Sequence, residues 1–232
     1  MRVTDEDLAQ AADVASALVG GAVELKRIVG GGRNSRIWRV VSGTDVFALK
    51  QYPPRRDDPR DRLSTEVGAL RLMESQHLNT VPRVVGVDDQ RGYALLTWID
   101  GHDVVEIGNG DIDAAVEFLE AIHDLRAVSG SAMQPLAAEA CLSGREIVRQ
   151  IEERLIRLRG APAKERELVD FLEHSFEPRF ARWSVCARDL AFKAGLDFDG
   201  ELPQEWRSLV PSDFGFHNSL RRSDGSLAFV DF

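Results

Sequence analysis

Cysteine is scarce in this 232-residue chain. The two present, Cys141 and Cys186, are far apart and form no CxxC or other metal-ligand spacing. A disulfide framework is therefore excluded, and a reducing cytoplasm is the expected setting. Long apolar runs are lacking too: nothing approaches the roughly 18 consecutive residues of a spanning helix. The N-terminus, MRVTDEDLAQ, is acidic and has neither the basic start nor the apolar run of a secretion signal. Positive charge is in deficit, with 29 Lys plus Arg against 38 Asp plus Glu and a net charge of −9. That balance argues against a coat for nucleic acid or an anionic membrane, though it leaves room for a local basic pocket. There is no internal repeat, low-complexity tract or long linker. No Gly-x-Ser-x-Gly elbow supports acyl transfer, and the five histidines show no transition-metal spacing.

What is present reads as a soluble globular chain, 44% hydrophobic and 29% charged, long enough for one large domain or two small lobes. Asp5 to Val19 carries apolar residues at helical spacing and stops at Gly20-Gly21. Strand-like runs follow at Val23 to Val29, Ile37 to Val41 and Val46 to Tyr52, the last ended by Pro53-Pro54. A helix is expected from Leu63 to about Gln76, then strands at Arg83 to Val87 and Tyr93 to Ile99. After Gly101 the texture turns helical, over Asp111 to Arg126, Ser143 to Arg159 and Ala163 to Leu190. It returns to a hairpin at Asn218 to Arg221 and Leu227 to Phe232. The expected domains are residues 1–99, a lobe of an opening helix, a five-stranded sheet and one helix, and residues 100–232, a helical lobe carrying a loop and hairpin.

The most informative segment is Asp213-Phe214-Gly215-Phe216-His217-Asn218, with Asp231 ending the hairpin eighteen residues beyond Asp213. An Asp-x-x-x-x-Asn loop, a hairpin and a second strand-end Asp suit phosphoryl transfer. The first acid can orient the proton of an attacking hydroxyl, while the amide oxygen and later carboxylate suit Mg²⁺, a hard cation completed by nucleotide oxygens and water. The β-rich part supplies matching pieces. Gly30, Gly31 and Gly32, with Asn34 and Ser35, sit between two strands where backbone amides can approach phosphates closely. This is not a Walker loop, since no Gly-Lys-Ser/Thr follows. Lys50 lies on the next strand, Glu66 on the following helix is its natural partner, and Leu95 to Gly101, including Thr97 and Ile99, resembles a lobe-connecting hinge whose backbone suits an adenine edge.

In that order, the Gly-rich hairpin, strand Lys, helix Glu, Leu95-Leu96-x-x-Ile99-x-Gly101 hinge, Ile122-His123-Asp124-Leu125 helix end, Asp/Asn loop and hydrophobic-Asp strand resemble the aminoglycoside phosphotransferase, or choline-kinase-like, family from about Glu24 to Phe232. The resemblance implies an α+β, bilobal protein-kinase-like fold, with an antiparallel sheet lobe and a mainly helical lobe. It implies transfer of the γ-phosphoryl group of ATP (or GTP) to a hydroxyl of a small molecule. Carried over, Asp213 is the catalytic base, Asn218 and Asp231 hold Mg²⁺, and Lys50 contacts the α- and β-phosphates.

Two features depart from the family. Its loop usually begins His-Gly-Asp with a second His two residues on, whereas this chain reads Pro211-Ser212-Asp213-Phe214-Gly215. Family chains also continue for several helices beyond the metal Asp, so a C-terminal truncation is expected, with the strand Leu227 to Phe232 short of its helical cover. The alternative function is a non-catalytic kinase-like nucleotide-binding module or an inactive fragment. Asp213-Phe214-Gly215 also spells the DFG of protein kinases, and Arg188-Asp189-Leu190 imitates their catalytic loop. Position 194 is Ala where that reading needs Asn, so an ordinary helix is expected around Asp189.

Overall fold

A computed structural model of the chain describes residues 4–28, 35–54, 60–128, 130–131, 134–137, 139–160, 166–211 and 213–231. It divides into two compact units, residues 1–138 with 208–232, and residues 139–207.

The first unit is built on a five-stranded antiparallel sheet: β1 (Glu24–Ile28), β2 (Arg36–Ser42), β3 (Asp45–Gln51), β4 (Val84–Asp88) and β5 (Tyr93–Thr97), in the order β1-β2-β3-β5-β4. β3 is central, with Lys50 opposite Ile37 on one side and Ala94 on the other. Strand alternation sends neighbouring residues to opposite faces. On one face Trp38, Val40, Leu49, Tyr93 and Leu95 pack against Ala11, Val14 and Ala15 of α1 (Asp5–Val19). Thr4 and Asp7 close a capping box at the start of α1, and Gly20 ends it in the left-handed region at φ 77°.

The other face carries Tyr52, Ala94 and Leu96 against α2 (Arg62–Ser75). Leu63, Glu66, Val67, Leu70 and Met73 recur at helical spacing and form the buried stripe of α2, so Glu66 is carried inward with the apolar residues. The same core continues through Ala115, Phe118 and Ile122 of α3 (Asn109–Asp124) to a second, three-stranded sheet: β6 (His102–Asp103), β7 (Ser219–Arg221) and β8 (Leu227–Phe229), in the order β6-β7-β8. Phe118 stacks on Phe229 at 4.3 Å between ring centroids, and Phe214 lies 5.8 Å from Phe118 and 5.4 Å from Phe229.

Several expectations need correction. The strand expected to run to Phe232 ends at Phe229, and it does not lack cover: Leu227, Ala228 and Phe229 are all buried, and Phe229 packs against Phe118 and Phe214. The strand expected to reach Ile99 stops at Thr97. β6 was not expected. Two residues carry no periodicity, and β6 exists because β7 offers it a free edge, His102 pairing with Arg221 and Asp103 with Leu220. Gly101 makes that approach feasible, since a Cβ there would lie 2.9 Å from the Arg221 carbonyl oxygen.

The second unit holds α4 (Gly144–Arg159), α5 (Arg166–Phe171) and α6 (Glu177–Lys193). A π-helical stretch, Leu172–Phe176, links the last two where one uninterrupted helix was expected. Asp189 lies within α6 and pairs with Lys193 at 2.5 Å, as an ordinary helix residue does. No helix among the described residues is long and apolar enough to cross a membrane.

Candidate active site

Lys50 is the centre of the site. A lysine at a sheet edge would extend into water, but both edges of β3 are paired and the side chain turns under α2, leaving the residue 4% exposed. Its ammonium donates to both Glu66 oxygens, at 2.9 Å to Oε1 and 2.6 Å to Oε2, and also to Oδ1 of Asp231. Glu66 is 2% exposed. Burial works against the Lys50 charge, yet the Glu66 and Asp231 carboxylates outweigh it and hold the ammonium above the ordinary lysine value. Burial also pushes the Glu66 carboxyl upward, opposed by Lys50 and by the hydroxyl of Tyr52. Tyr52, expected only to close a strand, donates from Oη to Glu66 Oε2 at 2.9 Å. The available signal was its position two residues after Lys50, on the same strand face.

Lys50 thus joins three elements distant in sequence: β3, α2 and the turn after β8. Asp231 reaches it through a backbone kink, because its φ of 70° lies in the left-handed region. A non-glycine residue there costs on the order of 1 kcal/mol, and such conformations concentrate at functional sites. The Asp231 side chain remains 42% exposed, and its second oxygen, Oδ2, has no partner among the described residues.

The loop from Asp213 to Asn218 is anchored by the buried neighbours of Phe214 and shaped by a single turn, Phe216–Asn218. Gly215 is in extended conformation. A Cβ there would lie 2.7 Å from Nδ1 of His217, so the small residue lets the imidazole fold back over the loop. His217 Nε2 lies 3.3 Å from Asp213 Oδ1. The Asp213 side chain itself is 76% exposed. Asn218 donates from Nδ2 to the Asp213 carbonyl at 2.9 Å, which turns its amide oxygen away from that bond. The Val230 N–H donates to the Asn218 carbonyl at 2.9 Å, carrying the β7–β8 pairing one step further and bringing Asn218 beside the residue that precedes Asp231.

At the hinge, Thr97 spends its N–H on the Arg83 carbonyl and accepts the Arg83 N–H on Oγ1, both at 2.9 Å. No backbone hydrogen bond engages Ile99 among the described residues. Of the two hinge residues singled out from sequence, Ile99 is the one with backbone groups to offer. A cavity of about 530 Å³ opens beside the hinge, lined by Thr97, Trp98, Ile99 and Asp100 together with Arg83 and Arg222. Gly30, Gly31, Gly32 and Asn34 lie outside the described residues. Ser35 directly precedes β2.

No group of three or more His, Cys, Asp or Glu gathers as a metal cage among the described residues. The donors on hand, the Asn218 amide oxygen and the Asp231 carboxylate, are hard oxygens. They fit Mg²⁺, which is usually bound through one or two carboxylates with phosphates and water completing its shell.

With this geometry in view, the comparisons with known proteins agree on one architecture. A search of curated protein sequences returned no significant match. Among solved structures the chain is similar to a macrolide 2′-phosphotransferase type I (TM-score 0.58, 15% identity, covering 98% of this chain and 71% of that one). It is also similar to the choline kinase LicA from Streptococcus pneumoniae (0.55, 14%, 98% and 68%). A third is a spectinomycin phosphotransferase, APH(9)-Ia, in complex with ADP and spectinomycin (0.54, 14%, 96% and 68%). At these identities the likeness establishes the fold, the α+β, protein-kinase-like class that the motifs implied. The profile of the phosphotransferase enzyme family matches residues 24–232, from β1 onward and leaving out only α1 and its turn. This chain belongs to that phosphotransferase family, the one that includes aminoglycoside phosphotransferases and choline-kinase-like enzymes.

Proposed function

We propose that the protein is a small-molecule kinase, transferring the γ-phosphoryl group of ATP or GTP to a hydroxyl of a small acceptor in the cytoplasm. The observation that carries this reading is the Lys50 ammonium held between buried Glu66 and exposed Asp231. A buried, paired lysine beside an accessible carboxylate is a place prepared for a charged ligand. Similar proteins that act on spectinomycin, a macrolide and choline support a small hydroxylated acceptor.

In this mechanism Lys50 receives the α- and β-phosphates, exchanging its contact with Asp231 for phosphate oxygens while Glu66 keeps its aim. Ile99 offers backbone groups to the base, and the phosphates would take backbone amides from Gly30 to Gly32, Asn34 and Ser35. Asn218 and Asp231 would hold Mg²⁺, whose charge offsets that of the phosphates when it is bound. Asp213 accepts the acceptor's proton at its carboxylate and aligns the oxygen for in-line attack. Positioning and electrostatics supply most of the rate gain, as little covalent chemistry falls to the protein.

The test is Asp213→Ala, assayed for ATP consumption against a panel of aminoglycosides, choline, homoserine and sugars. Turnover should fall at least about 100-fold, while MgATP still raises the melting temperature, because a ligand that binds only the folded state stabilises it. Unchanged turnover removes Asp213 from the chemistry. No thermal shift with millimolar MgATP in the wild type favours a non-catalytic protein.

A further inference from the structure

We propose that Tyr52 is a positioning residue of the nucleotide site: its hydroxyl locks the Glu66 carboxylate and its ring flanks the Lys50 ammonium, so that Lys50 meets the nucleotide phosphates from one fixed direction. The inference rests on the kinase reading above and assigns a role to a residue outside the expected Lys, Glu, Asp and Asn set.

The terminal torsion of a glutamate side chain is soft, with a broad, roughly two-fold profile. A carboxylate that only grips a lysine can therefore swing, and the lysine swings with it. Here Glu66 faces Lys50 with both oxygens, and Oε2 accepts a further hydrogen bond from Tyr52 Oη at 2.9 Å. That third bond comes from a different direction and from a rigid aromatic arm. The arm is itself fixed: Tyr52 is 6% exposed, packs in the core shared by α2 and α3, and donates its backbone N–H to the Gly92 carbonyl at 2.9 Å. Lys50 Nζ lies 5.3 Å from the centre of the Tyr52 ring, within reach of a cation–π attraction. Burial and the adjacent Glu66 carboxylate push the phenol's pKa far upward, so the hydroxyl remains a donor across the working pH range.

The arrangement also ranks the partners of Lys50. The Glu66 side chain is 3% exposed and that of Asp231 is 42% exposed. An arriving phosphate therefore competes with Asp231, whereas the Glu66 contact, backed by Tyr52, persists. A phenylalanine would fill the same core volume, so only the hydroxyl separates a site role from packing.

The experiment measures MgATP affinity by isothermal titration calorimetry for wild type, Tyr52→Phe, Glu66→Ala and the double variant, with urea midpoints for each. Tyr52→Phe should weaken MgATP binding about tenfold or more, the size expected for one hydrogen bond to a charged group. In the Glu66→Ala background, the same change should have no further effect on affinity, because Tyr52 acts through Glu66. A lower urea midpoint with unchanged affinity makes Tyr52 a packing residue and overturns the proposal, as does full additivity in the double variant. Should Glu66→Ala fail to fold, the affinity of Tyr52→Phe alone decides. Wild-type protein that takes up no MgATP overturns the kinase reading first and this role with it. Intact wild-type binding with an unaffected Tyr52→Phe overturns only the role.

Discussion

The two units of this molecule use the same residue types to different ends. In the unit of residues 1–138 and 208–232, aromatic rings and charges share one core: Phe118 stacks on Phe229 and on the half-buried Phe214, and buried Lys50, Glu66 and Tyr52 form a hydrogen-bonded network that reaches the surface at Asp231. In the unit of residues 139–207, Leu172 is the one buried residue among those described. Trp183, Val185 and Phe192 are 62%, 71% and 82% exposed. Its charges pair at the surface, as Arg149 does with Glu146 and Arg145 with Asp199. Buried pairs are costly to break from one side, while exposed pairs add little. A site that must hold a cation at a set place is therefore built in the first unit.

Deleting one aromatic side chain from each unit should expose that contrast most clearly. Phe118→Ala is expected to lower unfolding free energy by about 3–5 kcal/mol. Trp183→Ala should change it by less than about 0.5 kcal/mol, with both read from urea denaturation. Equal losses would erase the distinction.

Lys50→Met comes next. It leaves the Glu66 carboxylate buried without its cation, for a loss of about 3 kcal/mol near neutral pH. Burial already raises the Glu66 pKa above its unfolded value of 4.5, so the folded variant retains a proton that the unfolded chain releases. Its deficit should grow as pH rises above 4.5 and shrink toward pH 4.5, measured as urea midpoints across that range.

A smaller effect is expected at Asp111, whose carboxylate takes two bonds from Arg221, at 2.7 and 2.9 Å, and fastens β7 to the start of α3. The Arg221 hydrogen bonds, helped by the Gly108 N–H, hold its pKa at about 2, against 3.8 when free. This stabilisation is present above pH 3.8 and lost as pH falls toward 2. Arg221→Leu should therefore flatten the acid limb of the stability profile in that window. The least effect belongs to the second unit's surface: Arg149→Ala, which breaks pairs to Glu146 and Glu153, should leave the urea midpoint unchanged.

Much of the site could be read along the chain because its parts are local. Lys50 announces itself on an apolar strand, Glu66 on the next helix, and Asp213 and Asn218 within one turn. Tyr52 escaped because a tyrosine closing a strand has no meaning until the helix opposite it is placed. β6 escaped because two residues have no period, and the π-helical stretch because a local change of hydrogen bonding leaves the apolar spacing intact. The cover over Leu227 to Phe229 was misjudged for the same reason. Phe118 and Phe214, which pack on Phe229, come from segments far apart in sequence.

Local chemistry, by itself, determined the five strands of the first sheet, the buried face of α1, the order of the candidate site residues and the family they imply. Tertiary structure decided which partners Lys50 holds. Whether that lysine is a solvated edge residue or the buried centre of a site depends on β2 and β5 closing both sides of β3, on α2 lying over it, and on Asp231 arriving from 181 residues away. Hydrogen bonds and burial across such distances follow from packing, and no periodicity in the chain encodes them.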